Sequence, residues 1–148
     1  MNIQPLSVKD VDIVSQISLR AFMQSVADTV KPEGVETFTS LAKPEAYRSR
    51  MENGNVILSA KEGDQVLGVI ELKEGKHLAM LFVDPEYQGR GIGRSLLQAL
   101  IAHIKGDTMT VKASLPSVPF YQSNGFKLDG EIGEIAGLIY QPLVLIVD

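Results

Sequence analysis

The chain predicts a mixed α/β fold in which helices cover a mostly antiparallel central sheet. Three observations carry that prediction. Three apolar runs follow one another across two polar turns, an amphipathic helix starts directly after a glycine-rich turn, and 45% of the 148 residues are hydrophobic. That apolar share in a chain of this length supports one packed core, so residues 1–148 are expected to form a single domain.

The elements follow in order. Ser7 and Asp10 have the spacing of a capping box, and the helix they start places Val14, Ile17 and Ala21 on one face and reaches about Val26. The stretch from Ala27 to Lys43 is polar and interrupted by Pro32 and Gly34, which predicts a loop with a short helix over Val35–Leu41. Pro44 suits the first turn of another helix. Three strands in a meander are predicted over Val56–Ala60, Val66–Leu72 and His77–Val83, joined by Glu62-Gly63-Asp64-Gln65 and Lys73-Glu74-Gly75-Lys76. Beyond the glycine-rich turn, Ile92, Leu96, Leu97, Leu100, Ile101 and Ile104 form the buried stripe of a helix ending near Lys105-Gly106. A strand over Met109–Ala113, a short helix over Val118–Ser123 stopped by Asn124-Gly125, and closing strands over Phe126–Ile132 and Leu138–Val147 complete the chain. The segment Leu143–Val147 is apolar enough either to lie inside the sheet or to form a dimer edge, which leaves a homodimer open.

Composition narrows the function classes. Fourteen Lys and Arg against eighteen Asp and Glu give a net charge of −4, which argues against a broad nucleic-acid-binding surface. Absence of cysteine removes thiolate metal sites and a cysteine nucleophile, and two histidines offer little for a metal. No basic segment followed by an apolar run opens the chain, and the longest uncharged run, Ile135–Val147, is too short for a bilayer, so a cytoplasmic protein without a membrane partner is expected.

The turn Gln88-Gly89-Arg90-Gly91-Ile92-Gly93-Arg94-Ser95 lies between a buried strand and an amphipathic helix. Glycines there let the backbone approach a ligand, and the free amides of a helix start favour an anion such as pyrophosphate. The dinucleotide fingerprint fails, because Arg94 stands where its third glycine belongs, and no Lys-Ser or Lys-Thr follows to make a P-loop. Without a ligand, the same glycines simply permit a tight strand-to-helix turn.

The longer segment from Val83-Asp84-Pro85-Glu86-Tyr87 through Gln88 to Ser95-Leu96-Leu97 resembles the acetyl-CoA-binding signature of the GCN5-related N-acetyltransferases (GNAT), Gln/Arg-x-x-Gly-x-Gly/Ala, with Gln88, Gly91 and Gly93 at its defined positions. Downstream, Pro119-Phe120-Tyr121-Gln122-Ser123-Asn124-Gly125-Phe126 is similar to the family's Phe/Leu-Tyr-x-x-x-Gly-Phe segment. The resemblance covers nearly the whole chain. It implies that His77–Val83 bulges and splays from Met109–Ala113 to admit the pantetheine arm of acetyl-CoA as cosubstrate. Backbone groups of Leu81 and Val83 would pair with the arm, and the amides of Gln88, Gly89, Arg90, Gly91, Ile92, Gly93 and Arg94 would hold the pyrophosphate. Arg90 and Arg94 either add charge at the phosphates or are solvated.

The family's tyrosine falls on Tyr121, whose hydroxyl would assist the departing thiolate; its alternative is a buried aromatic between Phe120 and Phe126. The carboxylate that many members carry on the strand matching His77–Val83 is missing. Glu71, at the end of the preceding strand, is either a base acting through water or a solvated strand-end charge. His77 reads as a surface residue beside its turn and His103 as exposed. The chain also departs from the family after Met109–Ala113, where many members carry asparagine and this sequence has Ser114, which would bond the cofactor or the splayed backbone.

The acceptor is expected between Phe22–Leu41 and Gly133–Gln141. Asp28, Glu33, Glu36, Glu131 and Glu134 would attract a cationic amine there, or are solvated. The implied activity is direct acetyl transfer from acetyl-CoA to a primary amine of a small molecule, peptide or protein. Rivals are an acyl-CoA sensor without efficient transfer and an interaction domain with a vestigial turn.

Overall fold

The antiparallel meander forms as expected. In the computed structural model, which describes residues 1–147, β2 (Val56–Glu62), β3 (Gln65–Lys73) and β4 (His77–Val83) pair in succession. Asp148, the last residue of the expected domain, lies outside the described residues. Before the meander come β1 (Asn2–Pro5), α1 (Val11–Ser25), α2 (Pro32–Leu41) and α3 (Pro44–Glu52). After it come α4 (Ile92–Ile101), β5 (Thr108–Ser114), α5 (Val118–Ser123), β6 (Lys127–Leu128), β7 (Gly133–Ile135) and β8 (Leu138–Ile146). The sheet runs β1-β2-β3-β4-β5-β8-β6, with β7 also on β8, and only the β4–β5 pair is parallel.

Helices cover both faces, which explains why β3 is buried without interruption from Val66 to Leu72. Ile70 and Leu72 pack with Leu96, Leu97 and Leu100 of α4. Val69 packs on the opposite side with Val14 and Ile17 of α1, Phe38 of α2 and Tyr47 of α3. Full burial of each such leucine or isoleucine contributes about 1.5–3 kcal/mol. A buried ion pair at 3.0 Å joins Lys61 Nζ on the sheet to Asp10 Oδ2.

That pair overturns the expected capping box. Ser7 makes no side-chain cap, a short 3-10 turn over Val8–Asp10 precedes α1, and the Asp10 carboxylate is taken by the buried Lys61 ammonium instead. The second helix starts three residues earlier than expected because Pro32 occupies its first turn, where a missing N–H costs nothing. Gly34, expected as a breaker, lies inside it. Of the expected strand Phe126–Ile132 only β6 forms, and β7 begins beyond it at Gly133. Asp129 N donates to Pro142 O at 3.0 Å, but proline has no N–H to return the bond, and the ladder breaks there. Within Leu143–Val147, Leu143 and Val144 lie inside the sheet between β5 and β6, with Leu143 buried, whereas Leu145 and Ile146 pair with β5 alone and Ile146 is exposed. Among the described residues no helix is long and apolar enough to cross a membrane.

Candidate active site

The site arises where two strands part. β4 and β5 pair only at His77↔Thr110 and Leu78↔Val111. At the closed end, His77 Nδ1 lies 2.9 Å from Thr110 Oγ1, so His77 is half-buried and pinned, not a surface residue. Burial lowers its pKa, and Lys112 and Lys73 lower it further. One residue later β4 bulges: Leu72 faces Leu78 but Glu71 faces Met80, leaving Ala79 as the extra residue. Such a bulge re-aims the strand, and β4 continues to Val83 without a partner on the β5 side.

Register fixes what the open edge offers. Asp84 N donates to Leu67 O across the Gly68↔Val83 pair, which makes that pair and Ile70↔Leu81 the non-hydrogen-bonded ones. The N–H and C=O groups of Leu81 and Val83 therefore point away from β3, into the gap. Gln88 Nε2 donates to Val83 O at 3.2 Å, tying the following loop to the strand end. Asp84 caps the next short turn by accepting from Glu86 N, and it is held by Arg20 at 3.0 Å.

The glycine-rich turn then delivers α4 to the cleft. Gly91 is its N-cap at φ 81°, a left-handed conformation that a side chain resists. Ser95 N to Gly91 O is the first bond of the helix, so the amides of Ile92, Gly93 and Arg94 have no acceptor within it. An unpaired amide cluster at the end of a gap with free strand groups fits a ligand that ends in phosphate and carries amides along its arm.

These elements enclose a cavity of about 590 Å³. Among the expected site residues, Leu81, Val83, Gln88, Gly89, Gly91, Ile92, Gly93, Arg94, Ser114 and Tyr121 line it. Arg90 does not: its guanidinium lies 5.2 Å from the Tyr87 ring centroid, on the outer side of the turn. Ser114 Oγ donates to Ser117 Oγ at 2.9 Å, a local turn bond at the rim. Tyr121 packs edge-on against Phe120 and Phe126, each ring 5.2 Å away, and burial alone raises its pKa, with no hydrogen bond or charge acting on its hydroxyl.

Glu71 departs from both expected readings. It is neither a solvated strand end nor a cavity residue; its carboxylate is 0% exposed, accepting from Arg50 Nε at 2.7 Å and Asn55 Nδ2 at 2.8 Å. The extra residue at the bulge and the α3 side chains above it enclose a position that periodicity alone assigns to an end. His103 is exposed, as expected. Asp28, Glu33, Glu36, Glu131 and Glu134 line no part of the cavity, and Glu134 is paired with Lys31 at 2.7 Å. Among the described residues no group of three or more potential metal-ligating side chains occurs.

Sequence reasoning missed the aromatic wall made by Phe22, Phe38 and Phe82. Phe22 and Phe38 stack at 4.1 Å, and Phe82 meets Phe38 edge-on at 5.1 Å. Their spacing on helix and strand is that of ordinary core residues, so no local signal separates them from the core.

The family model for the acetyltransferase (GNAT) domain matches residues 26–147. The peptidyl-lysine N-acetyltransferase YjaB of Salmonella typhimurium is 30% identical over 94 residues, covering 57% of this chain and 64% of its own length. The chain thus spans just under two thirds of that relative. A GCN5-related N-acetyltransferase from Rhodopseudomonas palustris superposes with a TM-score of 0.87 at 23% identity, over 99% of this chain and 95% of the other. PaiA N-acetyltransferase from Thermoplasma acidophilum, solved in complex with coenzyme A, superposes with a TM-score of 0.72 at 21% identity, over 98% of each chain.

Proposed function

The chain belongs to the GNAT acetyltransferase family, and from that premise we propose that it moves the acetyl group of acetyl-CoA to a primary amine by direct transfer. The observation that carries the reading is the gap between β4 and β5, which joins the free backbone groups of Leu81 and the N–H of Val83 to the unpaired amides of Ile92, Gly93 and Arg94. Acetyl-CoA supplies an acyl group activated as a thioester; the amine nitrogen bonds to the acetyl carbon, the C–S bond breaks, and the proton lost from the amine ends on the coenzyme A thiol.

Leu81 and Val83 hold the arm by their backbone, as a strand would hold its neighbour. The α4 amides and the Arg94 guanidinium hold the phosphates. Tyr121 aims its hydroxyl at the departing sulfur. A thiol ordinarily titrates near about 8.5, well below the raised phenol, so Tyr121 stabilises the thiolate by donating a hydrogen bond and keeps its own proton. Ser114 and Ser117 keep the rim of β5 in its turn. The acceptor is a primary amine on a small molecule or a peptide, the latter being the class for which the relative YjaB is named.

Among the described residues no carboxylate lines the cavity, which favours one second reading, an acyl-CoA sensor. Calorimetric titration with acetyl-CoA, run beside thiol release over a panel of amines, separates the two. Transfer predicts binding and amine-dependent thiol release; a sensor binds and releases none; a vestigial turn does neither.

A further inference from the structure

We infer that the acceptor is a small amine carried on an apolar or aromatic body with no second charge, and not a lysine of a folded protein; the inference rests on the acetyl-transfer reading and names its substrate class. The acceptor side of the cavity is built from α1, α2, β4 and β8. Phe22, Val26, Val30, Phe38, Phe82 and Leu138 face it. A body that fills this wall replaces water on apolar surface, and each matching methylene changes the specificity constant about tenfold or more.

Charge excludes the alternatives. The titratable side chains that line the cavity are Arg94, Lys112, Tyr87, Tyr121 and Tyr140, with no carboxylate or histidine among them. Lys112 Nζ lies 5.6 Å from the Tyr140 ring, so the one aromatic face nearest the β8 rim already holds a cation. A second ammonium on the acceptor, as in a diamine, would be desolvated without a partner in a cavity whose fixed charges are positive.

Geometry excludes a polypeptide. The two acceptor walls are clasped: Lys31 N donates to Gly137 O at 3.1 Å and Thr37 Oγ1 to Ala136 O at 2.8 Å. The Lys31–Glu134 ion pair lies alongside. Gly34 and Gly137 meet backbone to backbone, so closely that a Cβ on either would collide with the other. The start of α2 thus touches the β7–β8 turn, and no chain of a protein substrate can lie extended between them.

Thiol release is measured with the full chain at saturating acetyl-CoA. The probes are 2-phenylethylamine and hexylamine, putrescine as the doubly charged control, and a short peptide containing one lysine. The inference predicts kcat/KM for the two apolar amines about tenfold or more above both putrescine and the peptide. Equal or higher values for putrescine or the peptide overturn it while leaving acetyl transfer intact. Calorimetric binding of acetyl-CoA without thiol release from any probe overturns the transfer reading and this inference with it.

Discussion

Glu71 and Arg50 form an ion pair at 2.7 Å beneath α3, and that pair turns the only carboxylate of β3 away from the cleft. Arg50 also donates from Nη1 to Leu41 O and lies over the Tyr47 ring, so one guanidinium joins the end of α2, α3 and the sheet. Glu71 Oε1 and Arg50 Nη2 have no hydrogen-bond partner among the described residues. Removing one member of a buried pair leaves the other charge uncompensated, which typically costs about 3 kcal/mol or more. Glu71→Gln is therefore expected to lower the urea midpoint strongly while leaving kcat/KM of the folded enzyme within about twofold. A variant of wild-type stability that has lost turnover would instead make Glu71 the base.

Gly91 holds φ 81° at the start of α4 with no atom near enough to obstruct a Cβ. Gly91→Ala thus strains only the backbone, by about 1–2 kcal/mol. Relief of that strain by rotating the turn misaligns the amides of Ile92 to Arg94. Calorimetry is expected to show a Kd for acetyl-CoA raised about tenfold, with the circular-dichroism spectrum unchanged. Arg90→Ala, on the outer side of the turn, is expected to leave that Kd within about twofold.

Much of this arrangement is legible in the sequence because each part carries its own period. The meander, the α4 stripe and the α5 stop at Asn124-Gly125 follow from alternation, 3.6-residue spacing and a glycine cap. The phosphate turn is legible because glycine type and position both matter there. Glu71 is not, since its environment is set by Arg50 on another helix and by a bulge at Ala79 that no run of apolar residues announces. The α2–β7 clasp depends on Gly34 meeting Gly137 across the fold, and a single glycine in a helix reads locally as a breaker. The side of the turn on which Arg90 falls is likewise decided by the left-handed residues at 89 and 91, not by its charge.

His77 couples the closed end of the cleft to pH. Its folded pKa lies below the ordinary 6.5, through burial first and Lys112 and Lys73 next, so the folded state favours the neutral ring. Below pH 6.5 the unfolded chain binds more protons than the folded one, so the stability present above 6.5 is lost progressively as pH falls from there through the lower folded value. His77→Gln is expected to flatten this part of the profile. Urea midpoints at pH 7.5 and 5.5 check it: the wild-type drop should exceed that of the variant, and equal drops would remove His77 from the account.

Tyr121→Phe isolates the role of the phenol in acetyl transfer, because it deletes one hydroxyl from a packed aromatic trio and leaves Phe120 and Phe126 in place. Steady-state thiol release and calorimetric acetyl-CoA binding are measured on the same preparation. kcat is expected to fall by about 100-fold, the scale of a lost donor at a developing anion, with Kd for acetyl-CoA and thermal stability nearly unchanged. Wild-type kcat in the folded variant would contradict it and return Tyr121 to the core.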